Sequence, residues 1–180
     1  TEQGLGNQKS PSTYGIHVSG ADNTINIRHV DIADARIQRG IQIGTEYDSA
    51  SNSVVRIGGG TLKVTDNKAR DQWLMWLRGA GNVYFGVNDA GTDASSAKME
   101  LAGPIHTGKN GEVYLGLNGA DARWIGGTEE TTEGRTTLYL KNNAVWDTTN
   151  GGRGTRLAKL SSTDGSEGHI FQNDTGKLVI

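Results

Sequence analysis

One alternating line of sequence occurs three times in this chain, with a tyrosine in the same place each time. It reads NVYFGVNDAG at 82–91, EVYLGLNGAD at 112–121 and, less closely, TLYLKNNAVW at 137–146. Apolar residues at every second position predict β-strands with one buried face. A strand that returns at intervals of about 30 residues is typical of a repeat architecture, in which each unit buries its apolar face against the next.

Two further series of apolar runs accompany this line. One precedes it, as GIHV at 15–18, GIQI at 40–43, LMWL at 74–77, KMEL at 98–101 and RLAKL at 156–160. The other follows it, as HVDI at 29–32, TLKV at 61–64, AVWD at 144–147 and KLVI at 177–180. Gly, Ser, Asn and Asp separate the runs, as expected of turns. One unit therefore contains three strands.

Glycine content argues against the main alternative, a helical bundle. The chain of 180 residues has 27 Gly and only 34% apolar residues. Each glycine inside a helix costs about 1 kcal/mol relative to alanine. Glycine is better explained as a turn residue between many short strands.

Parallel pairing of each strand with its copy one unit away would bury every apolar face in one column. The sequence therefore predicts an all-β fold, a three-faced parallel β-helix of about six coils, right-handed like other parallel crossovers. Residues 1–180 form a single β-helical fragment in this interpretation. Loop insertions are predicted at 44–53, 65–73, 88–97 and 126–136.

The predicted alignment of the repeated strand defines two columns of inward residues. The first is Ile25, Val55, Val83, Val113, Leu138 and Ile170. The second is Ile27, Ile57, Phe85, Leu115, Leu140 and Gln172. Only Gln172 is polar, which supports the alignment everywhere except in the last coil. Among the tryptophans, Trp76 and Trp124 are predicted in the core and Trp73 in a loop.

The position between the two inward columns points outward and is rich in aromatic residues. It holds Asn26, Arg56, Tyr84, Tyr114, Tyr139 and Phe171. At a strand spacing of about 4.8 Å, the four aromatic residues would form a ladder on the outside of one sheet. Such a ladder can stabilise the sheet by itself or can bind a sugar or a protein. The candidate binding residues are therefore Tyr84, Tyr114, Tyr139 and Phe171.

The last third of the chain resembles a known family. The runs TLYLKNNAVWDTT and RLAKLSSTDGSEGHIFQNDTGKLVI, with the step Asn143-Ala144 and Trp146, are similar to coils near the end of bacterial autotransporter passenger domains. The resemblance covers about residues 110–180. It implies a fragment of a larger extracellular protein that is displayed on a Gram-negative-type cell surface, with its outer-membrane anchor outside this fragment. The absence of Cys agrees with export of an extended chain.

Several kinds of chemistry find little support in the sequence. With 18 Lys and Arg against 20 Asp and Glu, and no basic run, no nucleic-acid partner is expected. His17, His29, His106 and His169 lack metal-ligand spacing, and Cys is absent, so neither a metal nor another cofactor is expected. No apolar run is long enough to cross a membrane, so direct membrane insertion by this fragment is not expected.

The preferred functional interpretation is a non-catalytic segment for adhesion or self-association. Its partner would be a protein or glycan on a host or bacterial surface, or a second copy of the chain. Two alternatives remain open. One is a polysaccharide-cleaving or glycan-binding β-helix of the lyase, hydrolase or tailspike kind, although the outward positions hold no pair of acids that could cleave a glycosidic bond. The other is an inert structural stalk.

Overall fold

A computed structural model describes residues 13–33, 37–44, 52–64, 72–95, 97–130, 133–148, 156–162 and 167–169. These ranges contain β-strands and no helix, and so no helix that could span a membrane. The strands are β1 (Tyr14–Val18), β2 (Thr24–Ile27), β3 (Val30–Ile32), β4 (Arg39–Ile43), β5 (Ser53–Ile57), β6 (Gly60–Lys63), β7 (Trp73–Leu77), β8 (Gly81–Phe85), β9 (Met99–Ala102), β10 (Ile105–Thr107), β11 (Gly111–Asn118), β12 (Arg123–Ile125), β13 (Thr128–Glu130), β14 (Arg135–Lys141), β15 (Val145–Asp147), β16 (Lys159–Ser162) and β17 (Glu167–His169).

From β1 to β15 every third strand belongs to the same sheet, β16 and β17 continue the second and third sheets, and all strand pairs within the three sheets are parallel. Sheet A has the order β1-β4-β7-β10-β13, sheet B the order β2-β5-β8-β11-β14-β16, and sheet C the order β3-β6-β9-β12-β15-β17. Since successive strands pass from sheet to sheet and then pair with their copy in the next coil, the chain forms a three-faced parallel β-helix. The predicted fold class is confirmed.

The interior is a column of stacked apolar side chains. In sheet B, Val55, Val83 and Val113 follow one another in register, and all three are buried. Sheet C contributes Trp124 and Trp146, which are fully buried and stack with their ring centroids 5.5 Å apart. Trp124 is thus in the core, as predicted.

The predicted register is wrong by two residues at β14. Thr136 pairs with Val113, Leu138 pairs with Leu115, and Leu140 pairs with Leu117. The prediction aligned Val113 with Leu138 because Leu138 is the first apolar residue of TLYL. Thr136 occupies the inward position before it and is buried although it is polar. A shift of two residues keeps every side chain on its own face, so Leu138 and Leu140 are still buried.

The last coil also differs from the prediction. Leu160 of β16, and not Ile170, pairs with Leu138 in sheet B. Lys159 and Leu160, the last two residues of RLAKL, therefore belong to sheet B and not to the series that precedes it. Ile170 and Gln172 lie outside the described residues, as does the run KLVI at 177–180.

Two strands of sheet A occupy segments that look like loops in the sequence. Strand β10 lies within AGPIHTGKNG, which was predicted as a turn, and β13 lies within the predicted insertion 126–136. KMEL, predicted in the same series as GIHV, forms β9 of sheet C instead. Strands of three residues with His or Glu at the outward position show too little apolar alternation to be recognised.

The other predicted insertions are described to different extents. Residues 45–51 and 65–71, which make up most of the insertions at 44–53 and 65–73, lie outside the described residues. The insertion at 88–97 is described except for residue 96, and it contains no strand of the three sheets. It lies against the outer face of sheet B.

Candidate functional site

Tyr84 and Tyr114 form the predicted ladder on the outer face of sheet B. Their strands pair residue against residue, from Gly81 with Gly111 onwards. The two rings stack with centroids 4.8 Å apart and planes 4° apart. The spacing is that of neighbouring strands, so the stack follows directly from the register. This part of the ladder is confirmed.

Arg56 extends the stack by one coil. It pairs with Tyr84 in the strand register, and its guanidinium carbon lies 4.1 Å from the centroid of the Tyr84 ring. A cation over an aromatic face contributes about 0.5–1 kcal/mol at an exposed site. Arg56, Tyr84 and Tyr114 are called the tyrosine stack below.

The hydroxyl of Tyr114 has a charged partner on the same strand. It donates a hydrogen bond of 2.5 Å to the Glu112 carboxylate. This bond, together with burial, raises the pKa of Tyr114 well above its usual value, because ionisation would place two negative charges side by side. The hydrogen bond to Glu112 therefore holds the Tyr114 ring in its orientation.

Tyr139 does not extend the tyrosine stack, contrary to the prediction. It pairs with Gly116, and Thr137 is the residue that pairs with Tyr114. Tyr139 is only 6% exposed, and burial raises the pKa of its hydroxyl. On the next coil its neighbour is Ser161. Phe171, the fourth candidate, lies outside the described residues.

Residues 86–95, called the 86–95 loop below, fold into a closed excursion beside the tyrosine stack. Val87 and Ala94 form an antiparallel bridge across its base. Inside the loop, the Asn88 side chain accepts a hydrogen bond of 2.9 Å from the backbone of Thr92. Gly91 has a φ of +67°, and a Cβ there would lie 2.6 Å from Cε1 of Tyr84. The glycine thus lets the loop lie directly against the tyrosine ring.

Three side chains of sheet B attach this loop to the sheet. The Tyr139 hydroxyl donates to the Gly91 carbonyl at 3.3 Å, and Arg56 donates to the Asp89 carbonyl at 3.3 Å. Lys141 forms an ion pair with Asp93, and its hydrogen bond is the main reason why the pKa of Asp93 is lowered. The buried Tyr139 is therefore an anchor for the loop.

Replacing Tyr139 with phenylalanine should loosen the 86–95 loop without disturbing the sheet. Loss of one buried hydrogen bond costs about 1 kcal/mol, and the ring itself is retained. We expect faster hydrogen–deuterium exchange in the 86–95 loop, measured by mass spectrometry. Tyr84→Phe is the control, because the Tyr84 hydroxyl makes no hydrogen bond to the described part of the chain. Equal exchange in the two variants would contradict the anchoring role.

A groove runs between the 86–95 loop and the ends of β2 and β5. It has a volume of about 370 Å³. Its principal lining residues, which define the loop groove, are Asn26, Arg28, Arg56, Tyr84, Asn88 and Asp89. A shallower hollow of about 620 Å³ adjoins the loop groove. It shares Arg28, Asn88 and Asp89 with the loop groove and adds His29 and Lys98.

A second aromatic cluster lies on the outer face of sheet A. Trp76, predicted in the core, is only partly buried and faces outward, with the Arg39 guanidinium carbon 3.6 Å from its ring centroid. Trp73, predicted in a loop, lies in β7 and is buried. His106, also predicted in a loop, lies in β10 with its ring 5.2 Å from that of Trp73.

Residues that could hold a metal do not cluster in the described ranges, where no group of three His, Asp or Glu lies together. Sequence reasoning found Tyr84 and Tyr114 but did not find Arg28, Asn88, Asp89 or Lys98. The segment NDAGTD at 88–93 has the composition of a binding loop, and was predicted as an insertion, but its position against Tyr84 depends on contacts distant in sequence.

The fold and this site define a class of protein: a parallel β-helix with an aromatic and polar groove on one lateral face. No family model, curated protein or solved structure matches the chain. The resemblance to autotransporter passenger domains therefore stays a prediction.

Proposed function

We propose that this chain is a non-catalytic binding segment, which acts in adhesion or self-association as part of an autotransporter passenger domain at the bacterial cell surface. The observation that carries the proposal is the tyrosine stack together with the loop groove beside it. The lateral face of sheet B is the binding surface in this proposal. Its partner is a protein or glycan on another cell, or a second copy of the chain.

The geometry of the stack supports a binding role because the rings are already held in place. Arg56, Tyr84 and Tyr114 are only partly buried, and each ring is fixed by its neighbours in the stack. Side chains that are ordered before binding lose little conformational entropy when a partner arrives. Tyrosine and arginine are also among the residues that most often dominate binding energy.

The residues behind the autotransporter resemblance have clear structural roles. Asn142 and Asn143 have φ values of 53° and 65°, in the left-handed region that asparagine tolerates in a turn. Ala144 and Trp146 are fully buried directly after this turn. These motif residues thus form the turn and the buried positions of one β-helix coil. Display of this coil at the cell surface is part of the proposal.

Alanine replacement of Tyr114 tests the proposed binding face. We expect Tyr114→Ala to weaken binding by at least about tenfold, since a central aromatic at an interface contributes 2 kcal/mol or more. The measurement is attachment of beads that carry the full chain to epithelial and Gram-negative bacterial cells, with bead aggregation scored in parallel. An unchanged thermal unfolding curve would show that the loss is not a folding defect.

Tyr14→Ala is the matched control for this experiment. Tyr14 is likewise a partly buried tyrosine stacked on a ring, that of His17 at 4.6 Å, but it lies on sheet A. Binding that survives Tyr114→Ala, or that falls equally in both variants, would reject the assignment to sheet B. Release of oligosaccharide from a glycan that binds would replace the non-catalytic role with the enzymatic one.

A further inference from the structure

The loop groove and its continuation carry an excess of positive charge that the whole chain does not. Three cations line them, Arg28, Arg56 and Lys98, against the single carboxylate of Asp89. The formal net charge of the chain is −2. Charges of one sign gathered along a concave surface attract ligands of the opposite sign.

Arg28 is the cation most available to a ligand. Its side chain is exposed and makes no hydrogen bond or ion pair with the described part of the chain. Lys98, which lines only the second hollow, is also exposed, and its positive charge helps to lower the pKa of Glu100. The Arg56 guanidinium, by contrast, is held over Tyr84 and donates a hydrogen bond to the backbone carbonyl of Asp89.

The neutral and acidic side chains of the groove are suited to hydrogen bonds with the hydroxyl groups of a ligand. Asn26 and Asp89 are exposed, and neither side chain is hydrogen-bonded to the described residues. An amide both donates and accepts, and a carboxylate accepts from a hydroxyl but repels another carboxylate. A ligand rich in hydroxyls with anions at intervals suits this lining better than an acidic peptide, which offers many carboxylates and few hydroxyl donors.

The groove is preformed and elongated. Arg56, Tyr139 and Lys141 hold the 86–95 loop in place. The loop forms one wall of the groove, so a ligand does not need to order that wall when it binds. The two hollows adjoin each other, since both are lined by Arg28, Gly58, Val87, Asn88 and Asp89. Arg28 lines both hollows, Lys98 lines only the second, and Arg56 lines only the first, so a ligand that contacts all three cations must occupy both hollows.

We propose that the loop groove and the hollow that adjoins it bind the chain of an acidic polysaccharide, with Arg28 and Lys98 binding its carboxylate or sulfate groups. The proposal rests on the binding function proposed above and specifies its ligand class. Tyr84 forms part of the wall, and Asn26 and Asp89 bind hydroxyl groups of the sugar.

The test compares polymers that share one backbone and differ in charge. Dextran sulfate and carboxymethyl-dextran supply sulfate and carboxylate, neutral dextran supplies neither, and polyglutamate supplies carboxylates on a peptide. Binding of the full chain is measured by isothermal titration calorimetry at low and high salt. We expect both charged dextrans to bind, neutral dextran and polyglutamate to bind at least about tenfold more weakly, and affinity to fall as salt rises.

Charge-removing variants locate the site. Arg28→Gln should weaken binding of dextran sulfate about tenfold, the effect of one charge-assisted hydrogen bond, and the double variant with Lys98→Gln should weaken it further. Lys109→Gln is the matched control, with the same change in net charge at a side chain that is 73% exposed and outside the groove. It should leave the affinity unchanged.

The outcomes separate this proposal from the proposed function. Equal binding of neutral dextran, stronger binding of polyglutamate, or equal losses in Arg28→Gln and Lys109→Gln would overturn the ligand class. Attachment to cells through Tyr114 without binding of either charged dextran would overturn it too, while supporting the binding function. Absence of both cell attachment and polymer binding would overturn both.

Discussion

Replacing Trp124 with alanine is expected to lower the free energy of unfolding by about 3–5 kcal/mol, the usual cost of deleting a large buried aromatic ring. Trp124 is fully buried in sheet C and pairs with Leu101 on one side and Trp146 on the other. Its indole N–H donates a hydrogen bond of 3.0 Å to the Gly103 carbonyl. The variant therefore loses packing on both neighbouring coils and leaves a buried carbonyl without its donor.

Urea unfolding followed by circular dichroism measures this loss. Trp124→Phe is the control. Phenylalanine keeps a ring against Trp146 and loses only the N–H donor and part of the ring area, so the decrease in the free energy of unfolding should be clearly smaller than for Trp124→Ala. A loss in Trp124→Ala below about 1 kcal/mol, in the range of surface substitutions, would contradict the buried position of this ring.

Gly60→Ala is expected to be at least as damaging, although it adds only a methyl group. Gly60 has a φ of +121°, and a Cβ there would lie 2.0 Å from the Val30 carbonyl oxygen and 2.9 Å from the Val30 nitrogen. Both atoms belong to the backbone of β3, which pairs with β6 at this residue. The coils can accommodate the methyl group only by moving apart, so we expect a loss above about 4 kcal/mol or failure to fold.

Gly119→Ala separates the effect of close approach from that of backbone conformation. Gly119 also has a positive φ, +101°, but a Cβ there would meet no atom within 4 Å. Its replacement should cost only the conformational strain, about 1–3 kcal/mol. Equal midpoints of urea unfolding for the two variants would show that the coils do not approach closely at Gly60.

Much of this architecture could be predicted from alternation and repetition. The inward residues Val55, Val83 and Val113 and the stacked pair Tyr84 and Tyr114 follow from aligning one pattern with its copies. Because one face of each strand is buried, the alternation of apolar residues determines which side chains face the interior. For the repeated strand of sheet B, the alignment therefore predicts correctly which side chains point inward, whereas Trp76 of sheet A was predicted in the core and faces outward.

The alternation of apolar residues does not distinguish between two strand registers that differ by two residues. Both registers of β14 bury Leu138 and Leu140, so the apolar pattern alone cannot choose between them. The choice depends on the corner before the strand, where Gly134 lies so close to Thr107 that a Cβ would be 2.2 Å from its carbonyl oxygen. A buried threonine at the start of the strand, Thr136, hid the correct alignment.

The candidate site was less predictable than the fold because it depends on contacts between distant segments. The Tyr139 hydroxyl and the Gly91 carbonyl are 48 residues apart in the chain, and so are Lys141 and Asp93. No local pattern indicates that a polar loop folds back onto a tyrosine. Arg28 and Lys98 likewise become part of one surface only when the coils stack.

The central claim is that neighbouring coils stack in parallel in the register described above. Disulfide formation between β11 and β14 tests it most directly, and the chain has no natural Cys to interfere. Glu112 pairs with Arg135, so a Glu112→Cys, Arg135→Cys protein should form a disulfide on mild oxidation. Glu112→Cys with Thr137→Cys should not, because two residues along the strand place the Cα atoms about 8 Å apart. Peptide mass mapping of the oxidised proteins identifies the bond. A disulfide only in the second protein would place Tyr139 beside Tyr114 and contradict the stacking described above.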